Sequence, residues 1–302
     1  MTVPTPARSA RTAVALLESP RGRTTAERAF AWLLLAGTAV ACAVLVTLVI
    51  DVVLDGAGRL NLPFLTSYAS RFPDRTGVRA GITGTLSLMT IVTLLAFPIG
   101  VGAATYLEEF APDNRLTRLL EANINNLAGV PSVVYGLLGA AVFVYALGLG
   151  PALLAGAATL ALLVLPVIIV ASREAIRSVP AAIREGGLAL GATPLQVVGR
   201  QTLPAALPSI LTGTILALSR AIGEAAPLLV VGAVVTRASD NEPWHFLEAF
   251  SALPIQIFNF VSRPQSGFKI DAASAAILVL MTLLLLMNSV AILLRNRFSR
   301  RW

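Results

Sequence analysis

The stretch Leu216–Leu229, LALSRAIGEAAPLL, sits inside an apolar run from Leu207 to Val235. That run exceeds the roughly 20 residues needed to cross a bilayer, so it reads as a membrane span holding an arginine and, four residues later, a glutamate. An isolated arginine near the centre of a span costs about 2.5–3.5 kcal/mol on insertion scales. A helical i,i+4 pair returns only about 0.2–0.5 kcal/mol, and the cation-first order is the weaker one. The pair Arg220 and Glu224 is therefore not explained by stability alone.

The rest of the chain makes the same environment. Of 302 residues, 56% are hydrophobic and 13% charged, and the mean hydropathy is +0.79. Such a chain is an integral membrane protein rather than a soluble domain. Its apolarity comes from Ala, Leu, Val, Ile and Gly, which pack helices closely in lipid, and not from the alternation of a barrel strand. The fold class is all-α and polytopic. Six segments qualify as spans, at about 29–54, 81–106, 122–148, 151–173, 206–236 and 272–294. The first is too long for a signal-peptide core and is read as retained. Pro98 and Pro166 inside spans are read as kinks.

An even number of spans puts both termini on one side. With the termini inside, fifteen Arg and Lys residues fall in inner segments and seven in outer ones, and only Arg220 lies within a span. The excess of inner positive charge favours cytoplasmic termini. The expected organisation is a cytoplasmic tail over 1–28, a membrane domain over 29–295 with a cytoplasmic loop at 178–204, and a second tail over 296–302. The N-terminal tail, rich in Thr, Pro, Ser and Arg, reads as poorly ordered. The net charge of +7 is spread over short connecting segments without interleaved aromatics, which fits membrane orientation and gives no reason to expect nucleic acid. The single cysteine, Cys42, excludes an intrachain disulfide.

The loop 178–204, SVPAAIREGGLALGATPLQVVGRQTLP, parses as two short helices at an angle. Ser178 and Pro180 suit the start of the first, and Gly191 the left-handed residue that ends it. Thr193 and Pro194 form a cap and first-position pair for the second, with Pro204 just beyond its end. The knob is expected to expose Leu188, Leu190, Leu195, Val197 and Val198 beside Glu185 and Arg200, and so to need a partner surface or the membrane face. Glu185, Gly191, Ala192, Leu203 and Pro204 resemble, in their spacing, the coupling motif of ABC importer permeases, the loop that seats in a cleft of the cytoplasmic ATPase. Gly186 and Gly187 stand where two alanines are usual, and Gln201 where an aliphatic residue is usual.

No GxxxxGK[ST] occurs, and Lys269, the single lysine, leaves no register for one. If transport is ATP-driven, as the resemblance implies, ATP and magnesium are bound by a partner ATPase and not by this chain. HExxH and GxSxG are absent, and His245, the single histidine, falls in the outer loop as a solvated or interfacial side chain. The chain is not expected to be an enzyme.

A guanidinium in a low-dielectric passage holds an oxyanion through two parallel hydrogen bonds. Glu224, on the same helical face, would neutralise Arg220 in the empty state and keep the site from holding its cargo too tightly. Ser219 and Gly223 lie near that face, and Pro227 bends the helix one turn on. The alternative is a buried structural ion pair. The run RAIGEAAPLL from Arg220 is similar to the signature of phosphate-importer permeases, particularly the A-type subunit, with Ala225 where threonine is usual. GITGTLSLMTIVTLLAFPIGVGAATYLEEFAP from Gly81, NLAGVPSVVYGLLG from Asn126, ASREAIRSVP from Ala171 and LPIQIFNFVSRP from Leu253 resemble the same subunit. The resemblance implies a MetI-like type I importer fold in a bacterial inner membrane. It also implies a C-type permease as heterodimer partner, two ATPase subunits and an external phosphate-binding protein. Importers of sulfate, molybdate or phosphonate, and a stand-alone anion channel or ion-coupled carrier, remain the alternatives. The outer loop 236–271, with Trp244, Phe246, Phe250, Phe258 and Phe260, reads as a headgroup-layer segment or a dock for the binding protein.

Overall fold

The structure is a computed structural model and describes residues 25–233 and 246–298. Expectations for the N-terminal tail, for Trp244 and His245 and for the C-terminal residues 299–302 lie outside the described residues. Helix α1, Thr25–Ala57, belongs up to Asp51 to a unit of its own, and everything from Val52 onward forms a second unit. Apolar side chains line every side of α1, with Trp32, Leu33 and Leu48 exposed, as a lipid-facing helix requires.

The second unit is a helical bundle. A short helix α2, Leu62–Thr66, is capped by Asn61, whose Oδ1 accepts from Phe64 N at 2.9 Å. Helix α3, Arg79–Thr105, runs into a π-helical turn at Tyr106–Phe110. Next come α4, Arg115–Leu127, capped by Asn114, and α5, Ser132–Gly139, continued by a π turn at Ala140–Ala146. Helix α6 covers Leu153–Arg177, α7 Ala181–Ala189, and α8 Pro194–Val197, the last followed by a π turn at Val198–Thr202. The chain closes with α9, Leu203–Ile222, α10, Ala226–Val231, α11, Leu253–Val261, and α12, Ala273–Phe298, which a π turn at Gly267–Ala272 precedes.

Among the described residues five helices are long and apolar enough to cross a membrane, or six if a bent pair counts as one span. That pair is the third expected span, 122–148. It is not one helix: α4 meets the α5 segment at 106°. Pro131 has no N–H to give and forces Val130 toward an extended conformation, which stops the first helix at Leu127. The fifth expected span, 206–236, is also broken. Its helix ends at Ile222 because the Pro227 ring cannot coexist with a helical carbonyl at Gly223; Pro227 instead opens α10. Pro98 and Pro166, by contrast, stay within uninterrupted helices.

The core lies where α3, α6 and α9 pack, around Leu88, Val92, Leu160, Val164, Ile168 and Ile222. Small residues set the spacing, as in other bilayer bundles. A Cβ on Gly213 would sit 2.5 Å from Ala171 Cβ, and one on Gly136 would sit 2.7 Å from Pro227 Cα. The second contact is backbone, which cannot swing aside, and it joins α5 to α10. Gly136→Val is expected to destabilise the purified protein by about 3 kcal/mol, the upper end for overpacking, read as a lowered thermal midpoint in detergent. An unchanged midpoint would mean that the two helices are not in such close contact.

The aromatic loop is only half exposed. Phe250 and Phe260 are fully buried, Phe260 with its centroid 5.8 Å from that of Phe268, while Phe246 and Phe258 face outward. Residues 246–249 satisfy the free donors at the start of α6: Leu153 N donates to Glu248 O at 3.0 Å and Leu154 N to Phe246 O at 2.9 Å. This loop is thus part of the fold and not wholly a headgroup-layer segment.

Candidate functional site

Arg220 is in the last turn of α9 and Glu224 in the break that follows, so they do not share a continuous helical face as expected. The turn Gly223–Ala225 brings them together all the same, with Arg220 Nε 3.4 Å from Glu224 Oε1. Their environments differ. The arginine side chain is 60% exposed and the glutamate 19%, so the cation stands outward with its carboxylate tucked behind it. Gly223 is exposed, and a Cβ there would meet nothing nearer than Arg220 O at 3.7 Å.

On its inner side Arg220 borders a crevice with Leu127, Val130, Tyr135, Val164 and Ala217. Its volume, about 10 Å³, admits one water at most and no oxyanion. The Tyr135 hydroxyl is occupied, donating to Leu127 O at 2.9 Å. Ser219 is also occupied: its Oγ lies 2.6 Å from Ile215 O and 2.7 Å from Asn288 Oδ1, which ties α9 to α12. Of the four residues expected at this site, Arg220, Glu224 and Gly223 stand together, and Ser219 serves helix packing. The Arg220 guanidinium thus lies at the exposed surface of the chain and not in the crevice.

The 178–204 knob forms with differences. Gly191 has φ +81°, the left-handed value that ends α7. Thr193 caps α8 through a reciprocal pair: Gln196 N to Thr193 Oγ1 at 3.4 Å, and Thr193 N to Gln196 Oε1 at 3.0 Å. Helix α8 does not end before Pro204, however. It continues through the π turn into α9, with Pro204 the second residue of α9. Leu188, Leu190 and Leu195 are exposed, as is Glu185, but Val197 and Val198 are buried, Val197 beside Gly187 of α7. Ala192 is half-buried, its N–H donating to Gly187 O at 3.2 Å, and Leu203 packs near Ile210 and Val179. The departures from the usual coupling pattern meet in space, since a Cβ on Gly187 would lie 2.5 Å from Gln201 Oε1. The missing methyl at 187 makes room for the longer polar chain at 201.

Between knob and bundle lies a charge network that the sequence reading missed. Arg173, buried, places Nη2 2.6 Å from Glu121 Oε1 and 3.3 Å from Glu108 Oε2. Arg177 donates to both oxygens of Glu108, at 2.9 and 3.0 Å. Arg184, on α7, donates to Glu109 at 2.8 Å and to the carbonyls of Ile176 and Val179 at 2.8 and 2.9 Å. It thereby caps the C-terminal end of α6 while holding α7 to the end of α3. The available signal was the adjacent Glu108 and Glu109 in YLEEF, set against Arg173 and Arg177 in ASREAIRSVP.

A family model described as the binding-protein-dependent transport system inner membrane component matches residues 96–302, a region holding the knob, the network and Arg220. The chain belongs to that family. The permease is 34% identical over 220 residues to the probable ABC transporter permease protein YqgI of Bacillus subtilis, covering 73% of this chain and 74% of that protein. It is 32% identical over 225 residues to the phosphate transport system permease protein PstA 1 of Mycobacterium tuberculosis, covering 74% and 71%. Among solved structures, the inward-facing MetNI methionine ABC transporter aligns with a TM-score of 0.59 at 20% identity, over 74% of this chain and 96% of that one. At that identity the likeness establishes the fold alone, a MetI-like type I importer permease. The permease is a multi-pass inner-membrane subunit of a binding-protein-dependent ABC importer and is not itself catalytic; ATPase partners bind the nucleotide, and a binding protein delivers the cargo.

Proposed function

We propose that this permease forms half of a path for inorganic phosphate, as the A-type subunit of an ATP-driven importer. The observation that carries the reading is Arg220, a guanidinium 60% exposed on the open face of its chain, backed by Glu224 across a helix break. Left against hydrocarbon, that cation would cost about 2.5–3.5 kcal/mol. Water, a second permease or an anion must meet it, and a planar fork of donors suits a tetrahedral oxyanion. Gly223 leaves space beside the charges. The partners are a C-type permease that completes the site, two ATPase copies and an external phosphate-binding protein. The likeness to PstA 1 and the run RAIGEAAPLL support phosphate among the oxyanions. Both termini are cytoplasmic, with 29–295 the membrane domain. Uptake of labelled phosphate in a strain lacking its own importers tests the cargo. Uptake should be restored with the full set of subunits and resist excess sulfate, molybdate or phosphonate; competition by one of these would reassign it.

The 178–204 loop is the ATPase-coupling element in this reading, with Glu185, Gly191, Ala192, Leu203 and Pro204 its key positions. Glu185 and the leucines at 188, 190 and 195 are exposed and available to an ATPase cleft. Glu185→Arg should lower the phosphate moved per ATP hydrolysed in reconstituted vesicles by at least about fivefold, the equivalent of ~1 kcal/mol of coupling. Normal coupling would remove this assignment.

A further inference from the structure

Helix α4 touches both ends of the proposed mechanism. At its middle, Glu121 Oε1 lies 2.6 Å from Arg173 Nη2, which also reaches Glu108; the adjacent Glu109 holds Arg184 of the knob. At its C-terminal end, Leu127 and Ala128 line the crevice beside Arg220, and Leu127 O accepts the Tyr135 hydroxyl. The six-residue step from Glu121 to Leu127 spans about 9 Å of helix.

The apolar seating of the helix is light, through Ile124 against the cluster of Ile169, Ile176 and Ile210. None of its residues is buried, and Leu116, Leu119 and Leu120 are exposed. Elements with few buried apolar contacts move at low free energy. Past Leu127 the chain turns through 106° over Ala128–Pro131, and Gly129 in that elbow has open space around it, a Cβ there meeting only Asn126 O at 3.5 Å. A rigid rod with a charged grip at its centre and an elbow at its tip is able to turn a shift of the knob into a shift beside the cation.

We infer that Glu121 is a positioning residue for transport: through Arg173 it fixes the α4–α5 elbow against Arg220 and passes movement of the 178–204 loop to it. The inference rests on the roles proposed above for Arg220 and for that loop. Glu121 need not touch the cargo. Its ion pair distinguishes the knob-linked position of the elbow from a free one.

The test uses the single cysteine to advantage. In a Cys42→Ser, Ala128→Cys chain assembled with its ATPase and partner permease in proteoliposomes, labelling by a water-soluble maleimide is timed without nucleotide and after trapping with ATP and vanadate. With Glu121 present the two rates should differ by at least about fivefold, the lower end of typical coupling between sites. Glu121→Gln should reduce the difference to under about twofold, and Glu121→Asp should retain more than half of it. Equal rates in the Glu121 chain, or an undiminished difference in Glu121→Gln, would overturn the inference. So would failure of both variants to assemble, which would give Glu121 a folding role alone. No phosphate is added, so an error in the cargo leaves this result untouched.

Discussion

Uptake of inorganic phosphate by cells whose sole importer carries Arg220→Gln is expected to fall at least about 100-fold, while the complex still assembles with its ATPase. Glutamine keeps a donor of hydrogen bonds but removes the charge and the two-pronged geometry. Lysine should rescue little, because a point charge replaces a planar fork. Assembly should survive because, among the described residues, the arginine makes one long ion pair, 3.4 Å to Glu224, and its side chain is 60% exposed. Replacing so exposed a side chain leaves no hole in the packing. Retained uptake in the glutamine variant would withdraw Arg220 from the cargo's path.

The second large effect is on stability and comes from the other end of the bundle. Arg173→Met should destabilise the permease by about 2–4 kcal/mol, measured as a lower midpoint for thermal loss of the folded protein in detergent. Breaking a buried ion pair costs roughly 3–5 kcal/mol when the remaining charge is stranded. Here the cost is smaller, since Glu121 is 30% exposed and Glu108 keeps Arg177. Arg173→Lys should fall between, an ammonium being unable to match the guanidinium's fixed geometry. A midpoint insensitive to the methionine change would show that the network is not structural. Because Arg173 is buried, the loss should persist at high salt, unlike that of a surface pair.

How far these features were legible in the sequence follows from the kind of force behind each. Long spans were legible because lipid imposes composition: α3, α6 and α12 begin within two residues of the expected starts. The Gly191 turn and the Thr193 cap were legible because they are local, needing one φ value and one side-chain acceptor. The breaks at Pro131 and Pro227 were not, because a window of hydropathy adds up side chains and ignores which backbone carbonyl each ring blocks. Pro227 was read as a bend when it starts a new helix. Val197 and Val198 were placed outside with the leucines of the knob, whereas both are buried, Val197 beside Gly187 of α7. The charge network lay furthest from reach. Glu108 meets Arg177 from 69 positions away, and Glu109 meets Arg184 from 75, so no helical spacing rule relates them. In the sequence the arginines served only as markers of the inner side. The cation at 220 was conspicuous because its surroundings are apolar, but its exposure at the surface of the chain belongs to the fold.

The central claim, that Arg220 stands in an aqueous passage and not in lipid, is tested most directly one turn away at Gly223, where a side chain has room. In the assembled transporter carrying Cys42→Ser and Gly223→Cys, with Arg220 intact, a charged membrane-impermeant thiol reagent should react at position 223, and inorganic phosphate should slow that reaction. Reaction with a lipid-soluble maleimide alone, indifferent to phosphate, would contradict the account.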